Sequence, residues 1–594
     1  MNIARQGLSR HPARRQRIDA EVAHLVVMGC SATKCEVEGH LPAISLYDGP
    51  TFRVLRSFLS RRQWPSSLSV AVLSAQHGLI GALTQIAHYD RRMTPQRAKD
   101  LYPEVMGGLR RLAPVHAHVE LILGKDYLQS LALQELAQIG TLHVAQGPIG
   151  EKLHRLHAVL HSLPSVPRTA PHHPVGTKRP LYFLPDWDDF LDVDYDFETD
   201  EFSARARVDR HEQHSITLMR PATICDGVLI SLAQHLGSKG LLRRVGQLDV
   251  KSLAPQSVRR HFSLQPDQWA FGDCGAFSYV AEDEPTIGIA QAVSLYDLYQ
   301  FDLGASVDHI PVETIVTPEG RRALSIHERR KRVRLTQVNA QRFIDEHRSR
   351  HCSFIPVGVI QGIGADDYVK QVGEYLEMGY DYIALGGLVP REDSDILNVV
   401  TGVVGAVRRT RSRAAIHLLG VFRPRLQGHF RRLGIVSFDS ASYFRKAWLR
   451  STQNYLATDG QWYSALRVPP SRDPRTLLRL RSSGASDARI RRLETSAMRA
   501  LHDYDGGGLS LEECLQAVLA YDVLLNRGES PLQSLVSGYR DTLARRPWKD
   551  CPCRMCKALG IDVVIFRGLN RNKRRGAHNT LQLYKRVTTG RRGC

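Results

Sequence analysis

The sequence predicts an α/β protein: a (β/α)8 TIM barrel with a structural zinc subdomain, preceded by a small α/β domain. Three observations carry this reading. Short apolar runs alternate with helical stretches over about 250 residues, the size and rhythm of such a barrel. A Pro-rich segment separates them from a shorter stretch of the same alternation. Three cysteines crowd into six residues near the carboxyl end.

In chain order, Leu25–Met28, Val70–Leu73 and Val119–Leu123 read as buried strands, with helices around Phe52–Leu59 and Gln96–Leu112. Residues 1–163 form the small α/β domain on this reading. The stretch Pro164–Pro180 holds five prolines and His172-His173. Proline fixes φ and removes a donor, so 164–180 serves as a linker. Next, Asp186–Glu201 packs nine carboxylates around Trp187, Phe190, Tyr195 and Phe197. It reads as a solvated loop with aromatic anchors, in preference to a contact with a basic face of the same chain.

Barrel strands are expected at Val228–Ser231, Trp269–Gly272, Ser306–Ile310, Ile355–Ile360, Tyr382–Leu385, Ile416–Gly420 and Ile435–Phe438, within a domain spanning 181–470. Residues 471–545 turn helical and Arg-rich, through Arg472, Arg475, Arg479, Arg481, Arg489, Arg491 and Arg492. Asp503–Gly508 has the look of a calcium loop, but its twelfth position is Cys514, where a bidentate Glu is needed. It reads instead as a turn into a helix beginning near Ser510. Residues 546–594 form a zinc-binding segment that completes the barrel domain.

Composition narrows the function. Of 594 residues, 43% are apolar and 24% charged, which is globular and argues against a disordered chain. No run approaches twenty apolar residues, and Met1–Arg17 is basic without an apolar core, so a cytoplasmic protein with no membrane span or secretory signal is expected. Lys and Arg number 80 against 60 Asp and Glu, a net charge of +20, which favours a polyanionic partner, nucleic acid before membrane. Ten cysteines in so long a chain are no disulfide framework.

Two constellations carry chemistry. Cys551, Cys553 and Cys556, followed after 21 residues by His578, supply three thiolates and an imidazole, the closed tetrahedral set of a structural Zn2+ site. The second is a series of polar residues at strand ends: Asp273, Asp308, Gln361-Gly362, Gly386-Gly387-Leu388 and Asp439. Each alone is more often a helix cap or turn former. Five in register on the carboxyl face of one barrel mark a site.

These residues also carry a resemblance. Asp273-Cys-Gly-Ala-Phe-Ser278 resembles the Asp-Ser-Gly-Gly-Phe-Gln motif of tRNA-guanine transglycosylases. Val359-Ile-Gln-Gly362, Leu385-Gly-Gly-Leu388, His417-Leu-Leu-Gly-Val421 and Phe438-Asp-Ser440 are similar to their later motifs, in family order, as is the Cys-x-Cys-x-x-Cys and His578-Asn579 ending. The likeness covers roughly residues 220–450 and 550–590. Leu184–Phe190 and Val307–Pro311 resemble the DpdA branch, which acts on DNA. Met28–Lys34, Leu46-Tyr47, Leu73–Leu79 and Leu123–Tyr127 resemble a small family related to YaaA, a DNA-binding stress protein. Cys274, Ala276 and Ser278 replace the family's Ser, Gly and Gln, and a helical insert separates Asp439 from Cys551.

The resemblance implies a pentosyltransferase that exchanges guanine in DNA for a 7-deazaguanine such as 7-cyano-7-deazaguanine (preQ0). Base exchange without hydrolysis needs a nucleophile to hold C1′ while one base leaves and another enters. Asp439 matches that nucleophile and Asp273 the general acid/base. Asp308 is the candidate for reading the base edge. Gln361, Gly362, Gly386, Gly387 and Leu388 complete the base pocket; Tyr279 or Phe277 could stack on the base, but each reads first as a core residue. Arg445, Lys446 and Arg423 are the leading candidates for the nucleic-acid backbone, with Arg329–Arg332, Arg408–Arg413 and Arg571–Arg575 behind them. Two alternatives stand beside this: the same chemistry on tRNA, and a non-catalytic nucleic-acid-binding relative. Accessory proteins of a modification system are possible partners. In the first domain, Cys30, Ser31, Lys34 and His77 read as a turn-and-cap set in preference to a catalytic set acting on a nucleotide or base, and DNA or partner binding is expected of the domain before any second activity.

Overall fold

The structure, a computed structural model, describes residues 23–589 apart from 38, 175–176, 178, 187–188, 205–211, 237–247, 249–251, 450–451, 528 and 530–531. The basic stretch Met1–Arg17 and the pair Trp187-Asp188 lie outside the described residues.

Near the amino end, β1 (His24–Gly29), β2 (Leu68–Ser74), β3 (Gly78–Gly81), β4 (His118–Ile122) and β5 (Thr141–Val144) form a sheet of order β3-β2-β1-β4-β5. All neighbours are parallel except the β2–β3 hairpin. The central strands are apolar on both faces because both are covered. Phe52 and Leu55 of α1 (Pro50–Arg61) pack with Val26 and Met28, while Leu101, Val105 and Leu109 of α2 (Pro95–Leu112) pack with Leu25 and Val27. Among the described residues of 164–180 there is no helix or strand, and Arg168 reaches Asp297 at 2.9 Å.

The barrel strands follow in chain order: β6 (Leu181–Pro185), β7 (Gly227–Ser231), β8 (Trp269–Asp273) and β9 (Leu303–Ala305). A hairpin of β10 (Thr314–Thr317) and β11 (Gly320–Ala323) precedes helix α3 (Ile326–Ser349). Then come β12 (Ile355–Ile360), β13 (Tyr382–Leu385), β14 (Ala415–Leu418) and β15 (Ser437–Asp439). The order β6-β7-β8-β9-β12-β13-β14-β15 closes on itself with every pair parallel. Phe183, Leu229, Phe271, Val357, Val359 and Tyr382 fill the interior, so the barrel is a packed core and not a pore.

Two strand expectations need correction. β6 is a barrel strand that the apolar pattern left unnamed, because its five residues run straight into the acidic stretch. The strand expected at Ser306–Ile310 is instead Leu303–Ala305, and 306–311 is a buried irregular segment. Its Val307 and Ile310 are apolar and buried, but among the described residues only the Ser306 amide keeps a ladder bond, to the Val357 carbonyl, and at His309 and Ile310 side chains of α3 replace the strand's partners. The His309 amide donates to Thr336 Oγ1 at 2.9 Å, and Arg332 Nη1 donates to the Ile310 carbonyl at 3.1 Å.

Beyond β15, the chain forms α4 (Ser442–Lys446), the antiparallel pair α5 (Asp487–Gly506) and α6 (Leu511–Leu525), and α7 (Gly568–Thr589). Ser510 and Glu513 make a reciprocal capping box at the start of α6, as expected for a helix beginning there.

The acidic stretch is not a solvated loop. Asp189, Asp192 and Asp200 are buried, and Asp200 accepts from Arg567 and Arg571. Arg571 also donates to the Phe197 carbonyl and, at 2.7 Å, to Asp562, while Arg574 reaches the Asp192 carbonyl at 2.7 Å. The run Arg571–Arg575 is therefore buried against acids and carbonyls of its own chain and unavailable to phosphate.

Candidate active site

The carboxyl ends of the barrel strands surround a cavity of ≈ 650 Å³. Asp273, Asp308, Gln361, Gly386, Gly387, Asp439, Arg445 and Lys446 all border it. Gly362, Leu388 and Arg423 do not. Leu388 is buried in the core, Gly362 offers its carbonyl to Arg391 at 2.9 Å, and Arg423 donates to the Val389 carbonyl at 2.8 Å.

Asp439 closes β15. Its Oδ1 accepts the Gly420 amide at 2.7 Å and faces His417 Nε2 at 3.1 Å, whereas Oδ2 has no partner among the described residues. His417 is fully buried on the neighbouring strand, and its Nδ1 lies 2.7 Å from Ser437 Oγ, itself 2.5 Å from Tyr382 Oη. One proton order satisfies the chain: Tyr382 donates to Ser437, Ser437 to His417 Nδ1, and His417 Nε2–H to Asp439.

Asp273 closes β8, with its Oδ2 accepting the Gly275 amide at 3.0 Å. Burial, then the nearby Asp308 and Asp439 carboxylates, push its pKa up to about 8. It is therefore mostly protonated at neutral pH. Burial also raises Asp308, whose oxygens are held by the Cys274 thiol at 2.9 Å and Gln361 Nε2 at 2.6 Å. Tyr279 Oη donates to Cys274 Sγ, so the family departure at Cys274 has a structural use as an orienting donor. Gly386 is required by close approach: a Cβ there would collide with the Gln361 amide.

A further carboxylate, Asp186, borders the cavity from the end of β6. Burial pushes its pKa up, but His235 Nε2 at 2.9 Å and the nearby His214 ring outweigh it, and the carboxyl is held well below its usual range. The ligand atoms of Asp186, Asp189 and His214 lie close enough together for a metal. However, His214 Nδ1 accepts the Ile216 amide at 3.3 Å, which leaves the proton on Nε2, facing Asp186 at 3.7 Å. A metal would need that lone pair.

The mouth is apolar and basic. Phe277 is 65% exposed at the rim, unlike Tyr279, which is core. Lys446 Nζ binds Gln453 at 2.7 Å and sits 4.3 Å over the Trp462 ring. Among the other basic candidates, Arg332 is buried under the Asp308 segment. Arg408–Arg413 lie where a barrel helix returns to β14, at the opposite end from the cavity.

Cys551, Cys553 and Cys556 Sγ lie 3.6, 3.4 and 3.4 Å from His578 Nδ1. A tetrahedron with the usual zinc bond lengths has an S–N edge of about 3.5 Å, so the set fits Zn2+. His578 Nε2 faces the Leu456 carbonyl at 2.8 Å, which fixes the tautomer and leaves Nδ1 as a ligand. The same helix, α7, supports α4: Asn579 Nδ2 donates to the Tyr443 carbonyl at 3.2 Å and Arg575 to that of Ala447.

At the amino-terminal sheet, Cys30 Sγ lies 3.1 Å from Tyr127 Oη, Lys34 Nζ sits 4.4 Å over Tyr89, and the His77 ring meets Tyr89 edge-on. Ser31 serves a local turn, accepting the Thr33 amide.

Residues 25–158 match a family of unknown function (DUF6884). Over 410 residues the chain is 36% identical to the DNA-guanine transglycosylase of Salmonella montevideo, a match covering 68% of this chain and 96% of that protein. The chain belongs to the guanine transglycosylase family. It is a glycosyl-transferring enzyme built on a closed parallel barrel. Among the described residues, no helix is long and apolar enough to cross a membrane.

For this transglycosylase, sequence reasoning gave no role to His417, Asp186, His214 or His235. The available signal was position: a histidine inside an otherwise apolar strand, beside the strand that ends in Asp439.

Proposed function

We propose that this chain exchanges guanine in DNA for a 7-deazaguanine such as preQ0, through a glycosyl-aspartyl intermediate on Asp439, in the cytoplasm. The observation that carries the reading is the asymmetry of Asp439: one oxygen is fixed by His417 and Gly420, the other is unpartnered at the cavity. The name of the Salmonella montevideo relative supports DNA as the polymer.

Asp439 Oδ2 attacks C1′ as the bond to guanine N9 breaks, and protonated Asp273 gives its proton to the departing base. The incoming base then returns a proton to Asp273 from its N9–H as N9 displaces the aspartyl oxygen. Asp308, oriented by Cys274 and Gln361, accepts from the N1–H and 2-amino group that guanine and a 7-deazaguanine share. Phe277 closes over the base, and Arg445 and Lys446 meet the backbone. Removing a base from the stack costs a few kcal/mol, which phosphate contacts offset. Cys551, Cys553, Cys556 and His578 would hold Zn2+, which would fix α7 and with it α4. The amino-terminal region serves as an accessory module for DNA or protein binding.

The test is incubation of the purified protein with labelled preQ0 and either DNA or tRNA. Label in DNA supports the reading, and label in tRNA alone contradicts it.

A further inference from the structure

We propose that the β10–β11 hairpin engages duplex DNA beside the cavity and fills the gap in the stack left by the withdrawn guanine, with Val316 as the wedge and Arg321 as a phosphate contact. This rests on the reading of DNA as substrate.

The hairpin lies in the connection from β9 to α3, and such strand-to-helix connections form the active-site face of a barrel. The same connection begins with Asp308 and Ile310, which border the cavity. Its register pairs Val316 with Arg321 and Ile315 with Arg322. Strand alternation puts these two pairs on opposite faces. Ile315 is buried and Arg322 Nη1 binds Glu328 of α3 at 2.7 Å, so that face is committed to the protein. The other face shows Val316, 72% exposed, next to an exposed Arg321.

The base of the hairpin is fixed. The Leu324 amide donates to the Glu313 carbonyl at 2.9 Å, and Arg329 Nε to the Pro311 carbonyl at 3.1 Å. Arg330, Lys331 and Arg334 on the first turns of α3 are exposed, and together with Arg321 they have no acidic partner among the described residues. An apolar side chain flanked by unpaired cations matches duplex DNA with one nucleotide withdrawn: the wedge fills the gap in the stack and the cations meet the phosphates.

The test uses the full chain and the exposed-site variants Val316→Ser, Arg321→Gln and their combination. Exchange of labelled guanine is measured on a matched duplex, the same duplex with a mismatch at the target guanine, and the single strand. The double variant should lose about tenfold or more on the matched duplex, recover on the mismatch, and stay within about twofold of wild type on the single strand. Wild-type rates on the matched duplex, or equal losses on all three DNAs, would overturn the wedge while leaving DNA as substrate. Exchange by the unaltered protein into tRNA and into none of the DNAs would remove the substrate reading and the wedge together.

Discussion

His417 Nε2 lies 3.1 Å from Asp439 Oδ1, and both side chains are buried. With the Gly420 amide on the same oxygen, the carboxylate is fixed in rotation and presents Oδ2 alone. On the proposed mechanism His417 acts through Asp439 and is a positioning residue. His417→Asn should lower kcat about 100-fold with little change in KM, because the loss falls on the orientation of the attacking group. Steady-state kinetics check this. A rise in KM with kcat unchanged would assign His417 to substrate binding instead.

Asp273 gives a pH prediction whose sign is fixed by burial. With its pKa raised to about 8, the protonated form, the proton donor of the proposed mechanism, dominates at neutrality and is lost above that value. Base exchange should therefore fall as pH rises through about 8. Stability follows the same direction: the raised folded pKa means its contribution is full below the unfolded value of 3.8 and disappears as pH rises through about 8. Asp273→Asn should be inactive yet more stable than wild type above pH 8, by about 1–3 kcal/mol. Thermal melts across that range check the sign.

The zinc set predicts a structural lesion that reaches the active site. Cys553→Ala should abolish Zn2+ in metal analysis, lower Tm, and reduce exchange through the loosened α7–α4 contact. Full zinc content in the variant would contradict the ligand assignment.

Arg571 is fully buried between Asp200 and Asp562. Arg571→Ala leaves both carboxylates without that cation and should cost about 3–5 kcal/mol. A variant that kept its stability but lost DNA affinity would restore the phosphate role that its burial denies.

The barrel was legible because its strands are short apolar runs ending in polar residues, and that pattern brought Asp273, Asp308, Gln361 and Asp439 to one cavity. Failures came where a side chain's partner is remote in sequence. Arg571 looks like a phosphate ligand until Asp200, over 350 residues earlier, is folded against it. The 306–311 segment looks like a strand because its apolar residues are buried, and only Thr336 and Arg332 reveal that its backbone is satisfied otherwise. Phe277 looks like core, but the barrel rim turns it outward.

The central claim is tested most directly by nucleoside mass spectrometry on digested DNA and tRNA from cells that make preQ0 and express this protein, with an Asp439→Ala control. A 7-deazaguanine nucleoside in DNA that falls at least about 10⁴-fold with the variant is the predicted result. Modified DNA that persists with Asp439→Ala, or modification confined to tRNA, would contradict it.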